Sequence, residues 1–119
     1  MSIGQITTHA LDLQRAKPAE GLKVELWRIE EEGRRLLSSA VLNKDGRADE
    51  PLLCGEHMQR GDYELQFRVG GYYGCEAGEP AAATPFERVA IRFCVADKSQ
   101  RYHIPLLIAP GGYSAYRGS

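Results

Sequence analysis

Apolar and polar residues alternate along much of this chain with a period of two, in short runs separated by turn residues. That period belongs to β-strands, whose successive side chains point to opposite faces. The clearest run spans residues 62–69, where Tyr63, Leu65, Phe67 and Val69 share one face and Glu64, Gln66 and Arg68 the other. Val89, Ile91, Phe93 and Val95 repeat the pattern against Arg92, and Leu22, Val24 and Leu26 alternate with Lys23 and Glu25 after a turn at Gly21. Further strands are predicted near residues 3–11 and 34–42 and over 102–108, and after Pro110, Gly111 and Gly112 a last strand runs to the tail. Several short strands between turn signals predict an all-β sandwich rather than a helical or α/β fold.

Strand parity also sorts polar residues. Ile104, Leu106 and Ile108 form a core face, which turns His103 outward with Arg101 and Leu107. In the first strand Ile6, Thr8 and Ala10 share one face while Thr7, His9 and Leu11 share the other, so His9 also points away from the core. Two outward histidines on one sheet could meet at a shared surface. Pro105 is discordant, because proline donates nothing to a ladder and usually marks an edge or bulge. Residues 43–47 (Asn-Lys-Asp-Gly-Arg) read as a tight polar turn with Gly46 at positive φ, presenting Arg47 from a loop. The glycine-, alanine- and proline-containing stretch 70–85 reads as a connection, with one short helix expected around residues 72–77.

The 119 residues suit one domain, residues 1–119. Fifteen Lys plus Arg against sixteen Asp plus Glu leave a net charge of −1 with no basic block, so nucleic acid is not an expected partner. The first residues contain no cation before Arg15 and no long apolar run, giving neither a secretory signal nor a membrane span, and a cytoplasmic location is expected. Cys54, Cys75 and Cys94 are odd in number and widely spaced, and read as unpaired thiols. Cys94 is expected to pack as a small apolar residue and Cys75 to be exposed.

The final tetrapeptide, Tyr116-Arg117-Gly118-Ser119, combines an aromatic ring, a fixed cation with planar donors, a flexible glycine and a hydroxyl beside an α-carboxylate. Each could recognise a small polar heterocycle. Singly, an exposed histidine, a turn arginine or a polar tail is an ordinary surface feature. No two of His9, His57 and His103 stand at metal-ligand spacing, so no metal site is expected.

Taken together, the motifs resemble the 5-hydroxyisourate hydrolases, the transthyretin-related enzymes of urate breakdown. The resemblance covers nearly the whole chain. It is carried by Ile6-Thr7-Thr8-His9-Ala10-Leu11-Asp12, the Pro18 and Gly21 turn into Val24-Glu25-Leu26, Asp45-Gly46-Arg47 within residues 43–49, and Gly61-Asp62-Tyr63. It continues through Pro85-Phe86 and Tyr102-His103-Ile104-Pro105-Leu106-Leu107 to Gly112-Tyr113-Ser114-Ala115-Tyr116-Arg117-Gly118-Ser119. The terminal tetrapeptide is its most specific part, because it separates the hydrolases from transthyretin, the hormone carrier on the same fold. Residues 70–83 match no motif of the family residue by residue.

The resemblance implies a transthyretin-like β-sandwich of two four-stranded sheets with one short helix. It further implies a homotetramer, a dimer of dimers with strands paired edge to edge and active sites at the mouths of a channel. The implied reaction is opening of the 5-hydroxyisourate ring at its N1 to C6 amide bond, giving 2-oxo-4-hydroxy-4-carboxy-5-ureidoimidazoline, with no cofactor and no membrane partner. In that scheme a histidine, His103 in preference to His9, takes the proton of the attacking water while the other positions substrate or relays a proton. Arg47 stabilises the oxyanion. Ser119 and Arg117 complete the pocket wall, with Tyr116 packing the tail and Gly118 giving it flexibility. Two rival readings remain: a non-enzymatic transthyretin-like carrier of an apolar ligand, and a β-sandwich interaction module.

Overall fold

The computed structural model describes residues 3–74 and 84–119. Two sheets face each other. The first carries β2 (Lys17–Pro18), β1 (Gln5–Asp12), β8 (Arg101–Ala109) and β9 (Gly112–Ala115) in that order, with β5 (Leu53–Cys54) also pairing with β1. The second has the order β4 (Gly33–Val41), β3 (Lys23–Glu30), β6 (Gly61–Phe67), β7 (Val89–Val95). The expected pair of four-stranded sheets is present, with the two-residue β5 added to the first. A 3-10 turn, Gly55–His57, and one helical turn, α1 (Val69–Tyr72), complete the described elements. The helix begins three residues before the expected 72–77, and residues 75–77 of that expectation lie outside the described residues, as does Cys75.

The alternating apolar positions meet between the sheets. Ile6, Ala10, Leu106 and Ile108 from the first sheet and Val24, Leu26, Tyr63, Leu65 and Phe67 from the second are all fully buried. Removing such side chains from water supplies the main driving force for the sandwich, roughly 1.5–3 kcal/mol for each large one. Parity assigns Cys94 to the other face of β7, and it is exposed rather than packed. The outer positions Glu64 and Gln66 are nevertheless only 7% and 5% exposed. Long neighbours cover them: Arg34 and Arg92 each reach the Glu64 carboxylate at 3.3 Å, and Gln66 donates to it at 2.7 Å.

Pro105 sits inside a continuous central strand, not at an edge. The carbonyls of His103 and Pro105 both face the tail, accepting from Gly118 at 2.7 Å and Tyr116 at 3.3 Å. The donor that proline lacks is therefore on the side where the β8 to β9 ladder, which spans Leu106 to Ala109, has already ended. The ladder to β1 is untouched.

At the far end of β1, fully buried Asp12 gathers the turn and helix around its carboxylate. It accepts from the Tyr72 and Tyr73 hydroxyls at 2.8 and 2.9 Å and from the Gln14 and Arg15 amides at 3.0 and 3.2 Å. Burial alone would raise its pKa, but these hydrogen bonds outweigh burial and hold it below the ordinary carboxylate value.

Candidate active site

The site begins with strand register. β1 and β8 run parallel as neighbours, with Thr7 opposite His103 and His9 opposite Pro105. Both histidines therefore leave the same outer face of the first sheet, and their rings stack at a centroid distance of 6.5 Å and an interplanar angle of 23°. The Thr7 hydroxyl lies 2.8 Å from His103 Nδ1.

Arg47 reaches this face because the 43–47 turn is tightly closed. The Asn43 side-chain oxygen accepts from the amides of Asp45 at 2.8 Å and Arg47 at 3.2 Å, and Gly46 N–H donates to the Asn43 carbonyl at 2.8 Å. Gly46 takes φ +73°, and its carbonyl accepts from Ala10 at 2.9 Å, docking the turn on the edge of β1. A Cβ at residue 46 would collide with the Ala10 carbonyl oxygen and come within 3.3 Å of the His9 ring. Glycine is thus required both for the turn and for its approach to β1. The backbones of Arg47 and His9 then pair in an isolated antiparallel β-bridge.

The tail returns to the same place. Gly118 N–H donates to the His103 carbonyl, and a Cβ at residue 118 would stand 2.8 Å from His103 Cδ2. Ser119 lines a cleft of about 360 Å³ together with Thr7, Arg47 and His103, and Gln5, Asp49, Glu50 and Arg101 contribute further polar walls. His9 does not line the cleft itself and adjoins this group through its ring stack on His103 and its backbone bridge to Arg47. Arg117 is turned away from the cleft: its guanidinium lies 4.3 Å over the Tyr102 ring and donates to the Gln100 side chain at 3.1 Å and the Arg101 carbonyl at 3.0 Å. Tyr116 is 56% exposed. His57 lies on the 3-10 turn, where it lines a separate recess with Arg28 and Tyr63.

Both histidines titrate below their ordinary value. For His103 burial is the main cause, followed by the positive charge of Arg47 and then by His9. For His9 burial again leads and Arg47 adds to it, while the Asp45 backbone and carboxylate pull partly the other way. Near neutral pH the site therefore presents two uncharged imidazoles beside a fixed cation. A neutral imidazole can accept a proton, and a guanidinium can stabilise a developing oxyanion.

The family model described as HIUase/Transthyretin family matches residues 6–118. The chain belongs to that family. It is 53% identical over 118 residues to a 5-hydroxyisourate hydrolase of Halalkalibacterium halodurans, covering 98% of each chain. It is 42% identical to one of Pseudomonas aeruginosa, covering 98% of this chain and 93% of that one. Among solved structures, Klebsiella pneumoniae 5-hydroxyisourate hydrolase superposes with a TM-score of 0.78 at 34% identity, over 98% of this chain and 94% of that one. An (S)-allantoin synthase superposes with a TM-score of 0.87 at 32% identity, over 99% of this chain but 44% of the longer one. Within this member of the HIUase/transthyretin family, sequence reasoning singled out His9, Arg47, His103 and the tail, and left Thr7, Asp49, Glu50 and Gln5 unassigned. Thr7 carried a usable signal, since parity puts it on the face of His9.

Proposed function

We propose that this chain is a 5-hydroxyisourate hydrolase of urate degradation, a cyclic amide hydrolase in which residues 1–119 serve as one domain. The observation that carries the reading is a polar cleft lined by His103 and Arg47, with the His9 ring stacked on His103 behind it, in a chain whose relatives of that name match over nearly their full length. His103 takes a proton from water as the water oxygen bonds to C6 of the substrate. Negative charge develops on the C6 oxygen beside Arg47. The C6 to N1 bond then breaks, the proton passes from His103 to N1, and the ring opens to a carboxylic acid that ionises by releasing the second water proton to solvent. His9, its ring stacked against His103 and its backbone paired with that of Arg47, orients the substrate or relays the proton. Ser119 offers a hydroxyl to the substrate from the cleft wall, while Arg117, Tyr116 and Gly118 act by fixing where the tail lies.

The active assembly in this proposal is a homotetramer built as a dimer of dimers. Among the described residues β7 and β9 each end a sheet with one unpaired edge, and Tyr113 on β9 is 46% exposed. An open strand edge is a ready template for pairing with a second copy. Analytical ultracentrifugation should report four chains. The test of function is the ultraviolet decay of 5-hydroxyisourate, freshly made from urate, against the uncatalysed blank. Acceleration supports the hydrolase, whereas decay at the blank rate by the folded assembly would support a transthyretin-like carrier. The walls of Arg47, Asp49, Glu50 and Arg101 suit a polar heterocycle better than an apolar cargo.

A further inference from the structure

The His103 ring is gripped on two opposite edges. Thr7 holds Nδ1 at 2.8 Å from β1, and the tail passes so near the other edge that a Cβ added at Gly118 would stand 2.8 Å from Cδ2, which leaves the Cε1 to Nε2 side for the cleft that His103 lines. Among the described residues, the contact to Thr7 is the ring's sole hydrogen bond. We propose that Thr7 is the positioning residue that fixes the His103 tautomer: its hydroxyl oxygen accepts the Nδ1 proton and leaves Nε2 bare toward the cleft.

The direction of that bond follows from what the cleft must contain. If the Thr7 hydroxyl donated to Nδ1 instead, Nε2 would carry the proton, and His103 would add a donor beside the donors of Arg47 with no lone pair for an incoming water. With Nδ1–H donating, the Thr7 proton remains available to an acceptor in the cleft that Thr7 itself lines. A hydroxyl on a β-branched side chain suits this task, because χ1 has few alternatives and the ladder fixes the backbone opposite His103. The neighbouring Thr8 ties the same two strands on the core side, donating to the Ile104 carbonyl at 2.7 Å.

The direction of the bond rests on the hydrolase reading, as does its catalytic consequence, but the tautomer can be measured without substrate, so the test has two arms. In protein carrying 15N-labelled histidine, wild-type His103 should show a protonated Nδ1 and a bare Nε2 near neutral pH. Thr7→Val keeps the shape and branching but removes the acceptor, and should move the ring toward the Nε2-protonated form. In 5-hydroxyisourate decay, Thr7→Val should lower kcat by about 10-fold to 100-fold, the range typical of losing an orienting partner, with KM within about twofold. Thr7→Ser should restore both the spectrum and most of kcat. A wild-type His103 protonated at Nε2, or a Thr7→Val protein with unchanged spectrum and kcat, would overturn the proposal. If the spectra behave as expected but wild-type protein does not accelerate decay, the tautomer assignment stands and the hydrolase reading fails.

Discussion

Gly118→Ala tests whether the tail works by fixing His103. The new Cβ would stand 2.8 Å from His103 Cδ2 and 3.1 Å from Pro105 Cγ, where ordinary contact begins at 3.4 Å. Pro105 is buried in the middle of β8 and cannot yield, so either the tail lifts or the imidazole shifts by about half an ångström. Lifting the tail breaks the 2.7 Å bond to the His103 carbonyl and withdraws Ser119 from the cleft. Either outcome misplaces a reacting or binding group, and since a 1 Å error can cost on the order of 100-fold in rate, a loss of roughly 10-fold to 100-fold is expected. The residue is outside the sandwich core, so global stability should change by less than about 0.5 kcal/mol. The assay is initial-rate decay of 5-hydroxyisourate beside a thermal melt, with Gly111→Ala as control, because a Cβ at residue 111 meets nothing within 4 Å. Wild-type turnover in Gly118→Ala would refute the reasoning. So would a loss of equal size in Gly111→Ala.

Other expectations follow from the same geometry. His9 and His103 should titrate with midpoints below 6.5 in an NMR pH series, so activity should hold at neutral pH and fall as the medium is acidified through those midpoints. Arg47→Ala should raise both midpoints, because it removes a positive neighbour, and an unchanged midpoint would separate Arg47 from the imidazoles. These depressed values also mean that the histidines favour the fold above 6.5, a contribution lost as pH falls through their folded values. Asp12→Asn should lower the free energy of unfolding by about 1.5–3 kcal/mol, the range for hydrogen bonds to a charged group, at fixed protein concentration. Because its folded pKa is depressed, Asp12 stabilises the fold above an ordinary carboxylate pKa and loses that effect as pH falls through the folded value. Asp12→Asn should therefore flatten the acid limb of the stability curve. Gly46→Ala should cost both fold and activity, since it strains a positive φ and drives a methyl group into the Ala10 carbonyl oxygen.

Much of the sandwich was legible because one face of each strand had to be apolar. Tyr63, Leu65, Phe67, Ile104, Leu106 and Ile108 show that alternation, and the same parity turned His9 and His103 outward. Parity says which way a side chain points but not what lies beside it. The pairing of Thr7 with His103 joins residues 96 positions apart, and no local pattern specifies that β1 and β8 are parallel neighbours in that register. The burial of Glu64 and Gln66 was hidden for a related reason, because Arg34 from β4 and Arg92 from β7 reach the Glu64 carboxylate across the outer face and Arg88 reaches Gln66. Arg117 looked like a binding residue from its chemistry alone. Its guanidinium lies instead over Tyr102, a placement set by how the tail folds back along β8.

The most direct test of the account compares 5-hydroxyisourate decay in wild-type protein, Arg47→Ala, His103→Ala and a chain lacking residues 116–119, with assembly and melting temperature recorded for each. Removing one oxyanion donor typically costs about 100-fold to 1000-fold, so each variant should approach the uncatalysed rate while remaining folded and assembled. Wild-type turnover in a folded Arg47→Ala or His103→Ala protein would contradict the central claim that this cleft performs the hydrolysis.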